Sequence, residues 1–433
     1  MGKLFEVKEF DTIIAKEYYK DKYKYVDKDT FDNLIEFIHE FDTHDEKEDI
    51  LDFIQIGYKR NLGQTITFKN YVGLIQMKNN IQIQILPKIY FLDGQKDNTK
   101  SIFMKMISSM KDFPNKVFSN TNLKIDKMNL YEIFINMYLQ EVRKLVKRGI
   151  KSAYLPKEDN LSFYKGKLIV NEHIKRNLTH KERFYIGFDE FQVNRPENCL
   201  IKSTLLKLQR IITSTQNSKE IRQLLSSFEL VSPSKNYDKD FSKIVINRNT
   251  KDYEMLMKWS KVFLKNKSFT TFSGTENARA LLFPMEKVFE AYVAKNIKKV
   301  FATENWKVSS QDKGYYLFNK LNDKEYNKFA IRPDLVVTRN DGSKVILDTK
   351  WKQLIDNKGK NYGILQADMY QMYAYAKKYN TSEIWLLYPK NNIMKDKNII
   401  KFESDDEVVV SVFFIDVVHI EESLKSLLQE LKH

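Results

Sequence analysis

The stretch Ile331-Arg332-Pro333-Asp334-Leu335-Val336-Val337, with Asn340-Asp341-Gly342 and then Val345-Ile346-Leu347-Asp348-Thr349-Lys350, decides the fold. Two apolar runs flanking an Asp-Gly turn read as the antiparallel strands of a hairpin. A three-residue loop over 340–342 places Gly342 in the left-handed region. Arg339 then pairs with Ser343, and Asp334 lies directly opposite Asp348. Opposed side chains have Cβ atoms about 5 Å apart, where like charges repel. Asp348 and Lys350 are two apart and share a strand face, while Thr349 points the other way. A divalent cation would offset the repulsion, and two carboxylates plus waters suit Mg²⁺. Lys350 beside them can stabilise charge developing on a phosphoryl group or hold an attacking water.

A solvated hairpin with charged ends would need no such ligand. Val345-Ile346-Leu347, however, is apolar on both faces, which suits a central strand. Charges at the end of a central strand are costly unless paired or metal-bound. Pro333-Asp334 followed by Asp348-Thr349-Lys350 resembles the signature of the PD-(D/E)xK nucleases, with Asp in the variable acidic slot.

The chain has 433 residues, long enough for two or three domains. Hydrophobic residues make up 42% and aromatic residues 13%, ample for packed cores and contrary to bulk disorder. The formal net charge of +15 makes a polyanion a reasonable partner, although the lysines are scattered rather than massed in one tail. The single cysteine, Cys199, excludes internal disulfides and thiolate zinc clusters. The six histidines show no close pair at helical metal-ligand spacing. The start, Met1-Gly2-Lys3-Leu4-Phe5-Glu6, does not read as a signal peptide, and no apolar run approaches about 18 residues. The expectation is a soluble, cytoplasmic protein.

Taken in order, residues 1–125 read as a β-rich domain. Val72–Met77 and Ile81–Leu86 flank Lys78-Asn79-Asn80 as a hairpin, and Ile81, Ile83 and Ile85 alternate with Gln82 and Gln84 as if one face were solvated. A helix is expected around Phe31–Phe41, and another from Thr99. Residues 126–275 read as mostly helical, with a long helix from Leu130 closed by Gly149 and a strand over Arg183–Phe191. Residues 276–433 read as α/β. Phe283-Pro284 is expected to start a helix whose apolar stripe is Val288, Phe289, Tyr292, Val293 and Ile297. Glu286 and Glu290, four apart, share a face of that helix. After the hairpin, a helix over 363–379 and the apolar strand Glu383–Tyr388 imply a parallel crossover.

Four stretches resemble the McrC family, the nuclease subunits of McrBC-type modification-dependent restriction systems. They are Tyr71–Gln76 with Ile83–Lys88, Gly166–Leu168 through Phe188–Phe191, Phe283–Val293, and Arg332–Asp334 through Asp348–Lys350. Gln371-x-x-x-Tyr375 also resembles the element that RecB-like nucleases carry on the helix after the motif strand. The resemblance implies a C-terminal PD-(D/E)xK core, a mixed sheet flanked by helices, behind an N-terminal β-rich domain and a helical middle region. It implies that Asp334 and Asp348 bind Mg²⁺ and that Lys350 completes the catalytic set. It also implies that Glu290 is a further metal or water ligand, with Glu286 as rival, and that Gln371 and Tyr375 support the site or touch DNA. The implied activity is Mg²⁺-dependent endonucleolytic cleavage of modified, methylated foreign DNA. The implied partner is a McrB-like AAA+ GTPase hexamer, docked through the N-terminal domain. The sequence itself contains no Gly-x-x-x-x-Gly-Lys-Ser/Thr, as expected if the energy source lies on another chain. The alternatives are a stand-alone RecB-like repair nuclease and a non-catalytic DNA-binding assembly subunit.

Overall fold

The deciding hairpin forms with the register its turn dictates. In the computed structural model, the described residues are 4–42, 54–77, 81–91, 98–110, 129–265, 278–319, 327–394 and 399–432. The expected turn at Lys78-Asn79-Asn80 lies outside them. The chain divides into two compact units, one of residues 1–127 with 275–433, the other of 128–274. The segments expected as separate first and third domains thus share one unit.

The N-terminal segment of the first unit supplies β1 (Leu4–Lys8), β2 (Thr12–Ile14), β3 (Lys24–Tyr25), β4 (Ile54–Lys59), β5 (Gly63–Phe68), β6 (Tyr71–Met77) and β7 (Gln82–Leu86), with helices Lys28–Asp42 and Thr99–Ile107. Strands β3-β2-β5-β4 make one small sheet. In a second sheet β7 lies between β1, parallel to it, and β6, antiparallel. The solvated face expected for β7 is a correction: Ile83, Gln84, Ile85 and Leu86 are all buried. Gln84 tolerates this because its amide donates to Glu6 Oε2 at 2.8 Å, and Glu6 is in turn ion-paired to Lys100 at 2.9 Å.

The second unit is partly sheet, which amends the helical expectation. Its strands are β8 (Ala153–Leu161), β9 (Lys167–Leu168) and β10 (Phe184–Gln192). β8 and β10 pair antiparallel along their length. β8 was missed because its polar run Pro156-Lys157-Glu158-Asp159-Asn160 lacks an apolar alternation. Helices Leu130–Arg148, Pro196–Gln209, Thr215–Ser227 and Lys251–Lys265 carry the core, where Phe134, Tyr138, Trp259 and Phe263 are buried together. Asn129 caps the first of these by accepting from Glu132 N, and Gly149 closes it at a positive φ.

The chain returns to the first unit as β11 (Ala278–Pro284), which pairs with β6. Phe283-Pro284 therefore ends a strand, and the helix Met285–Phe301 begins one residue later with the expected stripe buried. Gly73 of β6 is required here, since a Cβ would meet Leu281 O at 2.0 Å. Next come β12 (Lys307–Ser310), β13 (Tyr315–Asn319), β14 (Asn327–Ile331), β15 (Leu335–Thr338), β16 (Lys344–Thr349), β17 (Glu383–Pro389), β18 (Ile399–Glu403) and β19 (Val409–Ile415). Six of them form a mixed sheet, ordered β12-β15-β16-β17-β19-β18. β16, β17 and β19 are parallel, and the helix Gln366–Tyr379 crosses between the first two. Ile346, Leu386 and Val412 sit in the core beneath Met372 and Tyr375 of that helix. Among the described residues, no helix is long and apolar enough to cross a membrane.

Candidate active site

The site begins with the hairpin turn. Gly342 has φ +86, Arg339 N donates to Ser343 O, and Asp341 Oδ1 accepts from Ser343 N and Oγ. That turn sets Leu335 opposite Leu347. The ladder stops there, one pair short of the expected Asp334–Asp348 pairing. Asp334 Oδ2 instead accepts from Thr349 N at 2.8 Å and Thr349 Oγ1 at 2.6 Å, across the strand end. The neighbouring threonine therefore binds one of the two carboxylates the sequence set against each other.

Asp348 is 2% exposed at the C-terminal end of β16. Its Oδ2 lies 2.9 Å from Lys350 Nζ. The ammonium and this buried oxygen form an ion pair. Burial pushes the Asp348 carboxyl up, and the Asp334 carboxylate pushes it further, while Lys350 opposes both. Burial raises Asp334 too, against its two Thr349 hydrogen bonds. At Lys350 burial favours the neutral amine, but Asp348, Asp368 and Asp334 outweigh it and hold the ammonium above its ordinary range.

The crossover helix fixes the lysine from the other side. Lys350 Nζ donates to Gln371 Oε1 at 3.1 Å and lies 3.7 Å from Asp368 Oδ1. Gln371 Nε2 donates to Tyr375 Oη at 2.6 Å, and Tyr375 Oη donates to Arg332 O at 3.2 Å. One chain of hydrogen bonds thus runs from the Asp-x-Lys lysine to the residue before Pro333-Asp334. The ammonium cannot accept, which fixes the orientation of the Gln371 amide.

Glu290 lies on the edge of this group. Its Oε1 accepts from Gln311 Nε2 at 2.6 Å, and Gln311 N donates to Asp334 O at 2.9 Å. Glu286 is exposed. Among the described residues no three His, Cys, Asp or Glu side chains converge as a metal-ligand set. The two aspartates nevertheless fit a hard cation that keeps most of its waters, and the buried Asp348 carboxylate beside Asp334 is where such an ion would find a ligand.

A family model described as "McrBC 5-methylcytosine restriction system component" matches residues 66–389. The chain belongs to this family. The matched segment contains every residue of the site. No curated protein sequence matches the chain. Among solved structures, a chain from the refined half-complex of the tetradecameric assembly of Thermococcus gammatolerans McrB AAA+ hexamers with bound McrC is similar, with a TM-score of 0.68 and 18% identity. The match covers 99% of this chain and 100% of that one. A chain of the Thermococcus gammatolerans McrBC complex, solved by cryo-EM, matches with a TM-score of 0.49 and 20% identity over 71% of this chain and 89% of that one. The first likeness is one of fold, and it extends over both units of this McrBC-family chain.

Asp334, Asp348, Lys350 and Gln371 are brought together, and Glu290 joins them through Gln311. The sequence reading missed three residues of this McrBC-family site. Asp368 had a signal, since it lies three before Gln371 on the same helix face. Thr349 had none, since strand parity turned it away from the Asp334–Asp348 face, and it reaches Asp334 only because the ladder ends at Leu335 and Leu347. Gln311, held at φ +50 after β12, had none.

Proposed function

We propose that this chain is the PD-(D/E)xK endonuclease subunit of a McrBC-type complex that cleaves modified, methylated DNA with Mg²⁺. The observation that carries the proposal is the buried Asp348 carboxylate, set beside Asp334 and against the Lys350 ammonium at the end of a central strand. Asp334 and Asp348 would hold the ion, and Glu290 would hold one of its waters. When bound, Mg²⁺ would supply Lewis acidity toward the phosphate and lower the pKa of a bound water. Lys350, kept charged and oriented by Gln371 and Asp368, stabilises negative charge that grows on the phosphate oxygens during attack. Tyr375 fixes Gln371 and therefore acts on position rather than on substrate.

The partner in this reading is an AAA+ GTPase hexamer. Family membership and the lack of a phosphate-binding Gly-Lys-Ser/Thr loop in the sequence support it. The N-terminal β segment would be the docking arm. In the presence of that partner, Asp348→Ala and Lys350→Ala should each lower cleavage of methylated duplex at least about 10³-fold. Binding to the ring should be unchanged. Full cleavage by the Asp348→Ala complex would refute the assignment.

A further inference from the structure

Glu9 is a buried acid that this chemistry leaves unused. It lies just past β1, far from the site in sequence, and is 1% exposed. Both of its oxygens accept from Trp351 Nε1, at 2.9 and 3.1 Å, and Oε1 also accepts from Lys88 N at 2.9 Å. Burial pushes this carboxyl up to about 7 despite those bonds. The cavity beside it is about 10 Å³, room for roughly one water and no ligand. Its service is therefore internal.

Trp351 is the residue after Lys350. Its ring packs on Phe289 at a centroid distance of 5.2 Å, and Phe289 precedes Glu290. The indole thus links both arms of the site, since it follows Lys350 just past the strand that carries Asp348 and packs on the helix that carries Glu290. Its indole N–H is tethered to Glu9, whose own backbone N donates to Leu86 O of the β1-β7-β6 sheet.

We infer that Glu9 and Trp351 form a latch through which the N-terminal segment positions the catalytic strand, so that this segment is needed for the chemistry as well as for docking. Glu9 and Trp351 are positioning residues in this scheme, and the inference rests on the nuclease reading. A hydrogen bond fixes direction as well as distance, so an indole held at its Nε1 keeps the Lys350 backbone in register with Leu387 O, 2.9 Å away.

The test uses the full chain with three variants. Trp351→Phe keeps the ring and deletes the donor. Glu9→Ala deletes the acceptor. Glu9→Gln keeps an oxygen at the place where Oε1 accepts both bonds. In the complex with the GTPase, Trp351→Phe and Glu9→Ala should lower kcat about tenfold, with KM for DNA and GTPase stimulation unchanged. Glu9→Gln should retain most of the activity. A merely structural loss would move all three readouts together. Amide hydrogen exchange of the chain alone supplies a readout independent of cleavage. Exchange at 349–352 should quicken about tenfold in Trp351→Phe and Glu9→Ala, and helix Leu130–Arg148 should be unaffected. Wild-type exchange and wild-type kcat in both variants overturn the latch, as does equal loss in Glu9→Gln and Glu9→Ala. If neither wild type nor variants cleave DNA, the nuclease reading fails and exchange alone decides the latch.

Discussion

Asp348 in the first unit and Glu132 in the second are both buried acids, and their surroundings differ in kind. Glu132 Oε1 accepts from Thr213 N, Thr213 Oγ1 and Ser214 N, and Oε2 accepts from Asn217 Nδ2. Its carboxylate ties the helix Leu130–Arg148 to the start of the helix Thr215–Ser227. Asp348 Oδ2 meets the Lys350 ammonium, which is itself shared with Asp368 and Gln371. A fully bonded buried acid belongs to architecture, because its desolvation is offset within the fold. A buried acid that shares a single cation with its neighbours is less fully offset within the fold, and a metal ion would complete it.

The comparison can be broken first at Glu132. Glu132→Ala strands several buried donors and should cost about 3 kcal/mol of stability in the second unit, measured by chemical denaturation. Cleavage per folded complex should stay at the wild-type level. Asp348→Asn should do the reverse, with metal-free stability at pH 7.5 equal to or above wild type and cleavage lost. If Asp348→Asn instead destabilises the metal-free chain as strongly as Glu132→Ala does, the two acids are alike and the contrast fails.

A titration sharpens the same point. Asp348 is raised from 3.8 to about 7 in the fold. Between those values the folded state binds more protons than the unfolded one, so metal-free stability falls as pH rises through that window. Subtracting the Asp348→Asn melting curve from the wild-type curve at each pH isolates this slope. Adding Mg²⁺ at pH 7.5 should raise the wild-type Tm and leave Asp348→Asn unmoved. A wild-type Tm indifferent to Mg²⁺ would remove the metal from this site.

The smallest effect is expected at the hydrogen-bond chain behind Lys350. Gln371→Ala should slow cleavage about tenfold, since Lys350 keeps Asp348 and Asp368. Tyr375→Phe should cost less, because Gln371 would still meet the ammonium. A Gln371→Ala loss as deep as that of Lys350→Ala would mean that Gln371 touches the substrate itself.

Much of the site was legible in local pattern. The Asp-Gly turn set the hairpin register, and the two-residue spacing put Asp348 and Lys350 on one face, as the ion pair requires. The period of the crossover helix likewise aligned Gln371 with Tyr375. The middle unit was less legible, since β8 is polar and its pairing with β10 is invisible to periodicity. Gln84 misled for a related reason, because an alternating strand looks solvated until a second strand and Glu6 cover it.

The sequence by itself determined which residues could do chemistry, because turn type, strand parity and helix period are short-range consequences of backbone geometry. Only the tertiary structure decided which partner each of them meets. It ended the ladder before Asp334 and gave that acid to Thr349. It set Asp348 against the Lys350 ammonium and carried Glu9 from the N-terminal segment to Trp351. Hydrogen-bond satisfaction is a sum over everything within a few ångströms, and in a folded chain those neighbours come from hundreds of residues away.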